Sequence, residues 1–139
     1  MSLIFFNNLH RISGIICEAL EREGLPHEVS ANEALVLAHL AVYAPCPVSH
    51  VTGALGLRPS TMTSLLKRLG KHPLVKVEVD REDQRRRLLR LTPEGTLAAE
   101  GILQRLERLE QDVLAMTSVQ EVDGYLAILD AMKRAMERE

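Results

Sequence analysis

Short hydroxyl side chains and basic side chains are concentrated in one stretch near the middle of the chain. Short hydroxyls let a helix approach the edges of DNA bases closely, while Lys and Arg attract phosphates. The stretch therefore indicates contact with a polyanion, although a solvated helix surface would have a similar composition. The candidate residues are Arg58, Pro59, Ser60, Thr61, Thr63, Ser64, Lys67 and Arg68.

The distribution of charge supports the same interpretation more strongly than the total charge does. The 139-residue chain has a net charge of −2, which by itself argues against nucleic acid. Residues 58–90, however, hold ten basic and four acidic residues, a net charge of +6, and the rest of the chain carries −8. Such asymmetry is typical of a segment that faces a polyanion. A charged hairpin that is merely exposed to water is the alternative.

The apolar periodicity predicts the elements that must position these side chains. Helical spacing indicates a first helix over about residues 7–23 and a second from the Ser30–Glu33 capping box to Tyr43. Two shorter helices follow, over 49–55 and 59–69, and they are joined by a tight turn. Apolar residues then recur at every second position around 75–79 and 88–91, which predicts two strands. Together they would form a hairpin whose basic tip spans 80–87. Thr92 and Pro93 restart a helix.

Two helices joined by a tight turn and followed by a hairpin form an arrangement that reads DNA. The second helix would enter the major groove. Arg85 and Arg86 at the hairpin tip have the length and weak hydration needed to enter a narrow minor groove. We expect Lys67, Arg68 and Lys76 to contact phosphates, which supplies affinity without sequence information.

The terminal helices carry apolar stripes that favour a dimer. Ile102, Leu106, Leu109, Val113 and Met116 follow the 4-3-4-3 spacing of a paired helix. The first and last helices have stripes of their own. Packing of each stripe within one chain is the alternative, but a domain of this size offers little core to cover all three.

Residues 48–95 resemble the MarR family of bacterial transcriptional regulators. The segment Leu57-Arg58-Pro59-Ser60-Thr61-Met62-Thr63 is similar to the family's Leu-Ser-Pro-Ser-Thr-Val-Ser, with Arg58 in place of the usual Ser cap. Asp83-Gln84-Arg85 matches the Asp-x-Arg of the family's wing, and Leu91-Thr92-Pro93-Glu94-Gly95 matches its exit from the wing.

The resemblance implies a mostly α (α+β) fold: a winged helix-turn-helix with a two-stranded wing and N- and C-terminal dimerisation helices. One domain would span residues 1–139, with the DNA-reading lobe at about 30–92 and the dimerisation helices at about 5–24 and 93–137. It also implies a homodimer that binds a palindromic operator in double-stranded DNA. This homodimer would act as a repressor and be released from the DNA by a small-molecule effector. Asp83 would orient Arg85 in the wing.

Other functions find less support in the sequence. There is no Gly-rich phosphate loop and no Gly-x-Ser-x-Gly motif, so we expect neither an enzyme nor a cofactor. Cys17 is a candidate redox thiol, but its isoleucine neighbours favour an inert, buried cysteine. His39, Cys46 and His50 lack the spacing of a known metal motif, so no metal site is predicted.

The cellular setting follows from what the chain lacks. No run approaches the ~20 apolar residues of a membrane span, and the N-terminus does not resemble a secretory signal, so we expect a cytoplasmic protein that does not contact membranes. The chief rival interpretation is a dimeric winged-helix module that has lost DNA reading and binds a protein or a small ligand.

Overall fold

The computed structural model describes residues 2–138, so the ends of the predicted domain, Met1 and Glu139, lie outside the described residues. Within this range the chain forms six α-helices, one short 3₁₀ turn and a three-stranded sheet. The elements are α1 (Ser2–Arg22), a 3₁₀ turn (Pro26–Glu28), α2 (Ala31–Tyr43), β1 (Cys46–Pro47), α3 (Val48–Leu55), α4 (Pro59–Lys71), β2 (Val75–Val79), β3 (Arg87–Leu91), α5 (Pro93–Ala115) and α6 (Val119–Glu137). The predicted mostly α fold with a winged helix-turn-helix is confirmed.

Side-chain caps start the helices where the sequence predicted. The Ser30 hydroxyl accepts from the Glu33 amide at 3.1 Å, and the Glu33 carboxylate accepts from the Ser30 amide at 3.0 Å. The same reciprocal pair joins Ser118 and Glu121 before α6, and these bonds hold the pKa of the Glu121 carboxyl below its usual value.

Helix α2 forms the centre of the core, in keeping with its nearly all-apolar sequence. Val36, Leu37 and Leu40 are at most 1% exposed, and the helix packs against α1, α3, α4 and β3. Burial of this many apolar side chains is the main source of stability for the lobe, at roughly 1.5–3 kcal/mol for each large side chain. The two short helices predicted to read DNA, α3 and α4, therefore pack against a buried central helix.

The sheet contains one strand that the sequence analysis missed. Its order is β1-β3-β2, antiparallel throughout, with Cys46 opposite Leu89 and Leu89 opposite Val77. Pro45 and Pro47 flank Cys46, and proline is rare within a sheet. Because β1 is a two-residue edge strand, it can include a proline and it shows no alternating pattern that would reveal it.

The first helix also begins earlier than predicted, at Ser2 rather than near residue 7. The apolar residues before Asn7 continue the helix, yet Ile4 is 69% exposed and Phe6 is 54% exposed. At its other end, α1 is held by Arg105 of α5, whose guanidinium donates to the carbonyls of Leu20 and Gly24 and pairs with Glu23 at 3.0 Å. Donors and positive charge at a helix C-terminus satisfy its free carbonyls.

The chain divides into two compact units, one up to Arg105 and one from Leu106 onwards. In the second unit, the end of α5 and α6 carry apolar side chains that are largely exposed in a single chain. They include Val113, Met116, Tyr125, Leu126, Leu129, Met132 and Met136. No helix among the described residues is both long and apolar enough to cross a membrane.

Candidate nucleic-acid interface

Helices α3 and α4 meet at a turn whose backbone explains its sequence. Gly56 ends α3 in the left-handed region, with φ of 65°, and the Leu57 amide donates to the Thr52 carbonyl at 3.0 Å. Such a C-terminal cap favours glycine because glycine has no Cβ. Pro59 then occupies the first turn of α4, while the side chain of Arg58 makes no capping hydrogen bond with any described residue.

The buried stripe of α4 turns its predicted reading face outward. Met62, Leu65 and Leu69 are buried, as their spacing predicted. On the opposite face every candidate residue is exposed except Thr61, which is half-buried. The exposed candidates are Arg58, Pro59, Ser60, Thr63, Ser64, Lys67 and Arg68. The structure therefore presents these side chains together on one surface of the lobe.

The hydroxyls of Thr63 and Ser64 on this face each donate their proton to a main-chain carbonyl of the same helix. Thr63 Oγ1 donates to the Pro59 carbonyl at 3.0 Å, and Ser64 Oγ donates to the Ser60 carbonyl at 3.2 Å. A hydroxyl has one donor and two acceptor lone pairs. In this arrangement Thr63 and Ser64 can only accept hydrogen bonds from a ligand, and this restriction was not visible in the sequence.

Arg68 is tied to the core of the lobe. Its Nε lies 3.6 Å from Oε1 of Glu33, whose side chain is only 2% exposed, whereas that of Arg68 is 62% exposed. The capping box predicted the bond from Glu33 to Ser30, but it gave no sign of this pairing between α2 and α4. The Arg68 guanidinium is thus paired with a buried carboxylate while its side chain stays largely exposed. Its contact with phosphate stays a prediction.

The wing tip is ordered by two aspartates. Asp83 Oδ1 accepts from the Arg85 amide at 3.0 Å, and Asp80 Oδ2 lies 3.6 Å from Nε of Arg86. The Asp80 amide also donates to the Arg86 carbonyl at 2.9 Å, which closes the tip. Asp83 therefore contacts Arg85 through its main chain, and the side-chain ion pair belongs to Arg86 and Asp80. Sequence reasoning missed the role of Asp80.

Helix α4 and the wing line a common groove of about 1090 Å³. Thr63 and Lys67 contribute from α4, and Arg85 and Arg86 contribute from the wing. Three polar lining residues, Ser49, Thr52 and Arg87, were not predicted; Arg87 belongs to a run of three arginines, but Ser49 and Thr52 have no distinguishing pattern.

Lys76 lies outside the residues that line this groove. It is exposed on β2, opposite Arg90 of β3, and Arg90 pairs with Glu78 at 2.7 Å. A phosphate contact from Lys76 would therefore lie beside the groove, on the outer strand of the wing.

The structure also brings together three side chains for which no metal site was predicted. The ligand atoms of His39, Cys46 and His50 all lie within 4.8 Å of one another, and the two imidazoles approach to 3.0 Å. Burial raises the pKa of the Cys46 thiol, and burial together with the charge of His50 lowers the pKa of His39. Cys17 is half-buried on α1, and its redox activity stays a prediction.

Comparison with known proteins places this geometry among transcriptional regulators. No family model matches the chain. An uncharacterised HTH-type transcriptional regulator of Staphylococcus aureus (strain Mu50) is 26% identical over 121 residues, which are 87% of this chain and 83% of that protein. The HTH-type transcriptional regulator PecS of Dickeya dadantii (strain 3937) is 29% identical over 136 residues, 95% of this chain and 81% of that protein.

Solved structures agree over nearly the whole chain. The transcriptional regulator PcaV of Streptomyces coelicolor, in complex with its natural ligand, is 26% identical with a TM-score of 0.71, and the match covers 98% of this chain and 97% of that one. MepR of S. aureus in its DNA-binding conformation shares the fold at 22% identity, with a TM-score of 0.75 and coverage of 97% of each chain. Both sequence relatives and PcaV are named as transcriptional regulators. With its helix-turn-helix and its wing, the chain has a winged helix-turn-helix fold, and the relatives that it resembles in sequence are named HTH-type transcriptional regulators.

Proposed function

We propose that this regulator is a sequence-specific repressor that binds a palindromic operator in double-stranded DNA as a homodimer and is released by a small ligand. It would act in the cytoplasm, where bacterial DNA lies. The observation that supports this most directly is the common groove, which is lined by Thr63 and Lys67 of α4 and by Arg85 and Arg86 of the wing. A helix and a basic hairpin on one surface can contact adjacent grooves of the same duplex.

In the proposed complex, α4 enters the major groove and the wing follows the neighbouring minor groove. An α-helix with its side chains is about 10–12 Å across, and the major groove is about 12 Å wide, so α4 fits there. Lys67, Arg68 and Arg58 would contact phosphates on either side and fix the register. Arg85, with its main chain held by Asp83, would insert into the minor groove.

Homodimerisation is supported by apolar surface that one chain leaves exposed. Ile12 and Ile15 of α1 are 45% and 54% exposed, and Leu129 and Met132 of α6 are 42% and 41% exposed. Monomeric proteins seldom leave large apolar patches exposed, and a second copy related by twofold symmetry would cover these side chains. Symmetry then accounts for a palindrome, since each lobe reads one half-site.

Release by a small ligand is supported by PcaV, which was solved with its natural ligand. A ligand that binds one spacing of the two lobes better than another shifts the dimer toward that spacing. Because the half-sites of a palindrome lie about 34 Å apart, a modest change in spacing weakens the contacts of both lobes together.

Selection of bound sequences from random duplexes tests this proposal most directly. The purified full chain should enrich a palindrome whose half-site centres are about one helical turn, ~34 Å, apart. Enrichment of a single asymmetric site would contradict the dimeric arrangement. If no sequence is enriched, the alternative of a module that binds a protein or small ligand is favoured instead.

Replacing Arg85 with Ala is expected to weaken binding to the selected palindrome by roughly tenfold or more, because one minor-groove contact of about 1–3 kcal/mol is lost in each lobe. The dimer should stay folded, since the side chain is exposed. Fluorescence anisotropy with labelled duplex measures the change. Arg22→Ala, at an exposed position on α1, is the control and should retain full affinity. Unchanged affinity in Arg85→Ala would show that the wing does not reach DNA.

Replacing Thr63 with Ala is expected to alter the preference among operator variants by about 1 kcal/mol at one base pair of each half-site. Because its hydroxyl proton is held by Pro59, Thr63 should prefer a base that offers an amino donor, cytosine or adenine. Competition among duplexes that differ at single positions measures this effect, and Ser64→Ala should act in the same way. Ser13→Ala, on exposed α1, serves as control. A uniform loss across all variants would mark Thr63 as a positioning residue.

A further inference from the structure

His39, Cys46 and His50 converge on one point from three different elements. His39 lies in the second half of α2, Cys46 begins β1, and His50 lies in the first turn of α3. Nε2 of His39 and Nδ1 of His50 are 3.0 Å apart, and the donor atoms of all three side chains lie within 4.8 Å of one another. The path of the chain from α2 through β1 to α3 brings the donors together.

We propose that these three side chains form a binding site for a zinc ion, with His39, His50 and the Cys46 thiolate as ligands and water in the fourth position. Zinc takes imidazole nitrogen at about 2.0–2.1 Å and thiolate sulfur at about 2.3 Å, in a tetrahedron whose donor atoms are roughly 3.3–3.7 Å apart. The two nitrogens would need to separate by a few tenths of an ångström. The sulfur would need to move by about 1 Å at most.

The surroundings provide both a rigid side and an open side. Cys46 is 5% exposed, and its strand pairs with Leu89 in the centre of the sheet, so its main chain is held in place while the side chain can still rotate. Tyr43 packs against both imidazoles, with ring centroids 4.7 Å from His39 and 5.1 Å from His50. His50 is exposed, which leaves a route for the ion and a place for a water ligand. Three protein ligands with one open position are a common zinc arrangement.

The donor set selects the class of metal. Two imidazoles and one thiolate suit zinc and its soft neighbours, whereas magnesium and calcium require oxygen ligands. Zinc binds cysteine as the thiolate, so binding displaces the thiol proton and should release acid into the medium. A hydrogen-bonded pair of imidazoles beside an unrelated thiol accounts for the same contacts without metal, and the experiment must separate the two.

The test is zinc titration of the full chain, stripped of metal, in competition with a chromophoric chelator at neutral pH. One equivalent of zinc should bind, with release of a proton. His50→Gln should weaken binding at least about tenfold, because a direct ligand is lost. His10→Gln, at an exposed position on α1 outside the cluster, should bind zinc as the unmodified chain does. Since His50 is exposed, its replacement leaves the core intact.

Cobalt(II) identifies the sulfur ligand independently. The cobalt-loaded chain should show a thiolate-to-metal charge-transfer absorption that Cys46→Ala abolishes and Cys17→Ala retains. Equal zinc affinity in the unmodified chain and in His50→Gln would overturn the proposal. The absence of the charge-transfer band from the cobalt-loaded unmodified chain would also overturn it.

Discussion

Replacing Gly95 with Ala is expected to destabilise the protein by about 3 kcal/mol or more, because Gly95 is the one described glycine at which an added Cβ would meet another atom within 4 Å. A Cβ at this position would lie 1.9 Å from the carbonyl oxygen of Leu74 and 2.8 Å from its carbonyl carbon. The obstacle is main chain rather than a flexible side chain, and the Leu74 oxygen also accepts from the Thr92 amide at 3.1 Å. A shift of the Leu74 main chain away from Gly95 would disturb the hydrogen bond from the Thr92 amide, which joins the end of the wing to the segment before β2.

Denaturant unfolding followed by circular dichroism measures this effect. Gly70→Ala in α4 is the matched control, because a Cβ there meets nothing within 4 Å. In a helix this replacement should stabilise the protein by roughly 0.5–1 kcal/mol. Equal unfolding free energies for Gly95→Ala and the unmodified chain would contradict the close approach of α5 to Leu74. The same contact gives a physical reason for the glycine of the Leu-Thr-Pro-Glu-Gly motif.

Raising the salt concentration from 50 to 200 mM is expected to lower the affinity for the selected palindrome by roughly a factor of 10³ or more. Arg58, Lys67, Arg68 and Lys76 are exposed in each copy, so a dimer would offer about eight cations to phosphates. Each neutralised phosphate releases condensed counterions, and that release is opposed by added salt. Dissociation constants from anisotropy over this range give the slope directly.

Single-charge variants show which residues contribute to the slope. Lys67→Ala should reduce the slope by the amount expected for two phosphate contacts in each dimer, one in each lobe. It should also weaken binding to all sequences alike. Lys133→Ala, on α6, is the matched control and should leave the slope unchanged. An affinity that hardly responds to salt would argue for the module that binds a protein or small ligand rather than DNA.

Local patterns predicted most of the elements because their causes are local. The capping box of Ser30 and Glu33 set the start of α2, and the glycine after α3 set the turn. The apolar spacing of α4 decided which of its faces is buried, and hence that Thr63 and Lys67 would be exposed. Each of these signals lies within a few residues of the feature that it predicts.

The contacts that were missed join residues that are distant in sequence or that lack a distinctive pattern. The pairing of Glu33 with Arg68 connects two helices, and β1 is too short to show a period. The cluster of His39, Cys46 and His50 has no familiar spacing, because its ligands lie on three elements whose arrangement depends on the whole lobe. The role of Asp80 depended on how the hairpin closes.

The order of the strands connects two parts of the molecule that the sequence keeps apart. Cys46 pairs with Leu89, and Leu89 pairs with Val77, so the root of the wing lies one strand away from the cysteine. Strands joined by backbone hydrogen bonds shift together more readily than they separate. If zinc binds at Cys46 as proposed, a displacement of that residue would pass through β3 to the base of the wing, and the affinity for the operator would then depend on zinc.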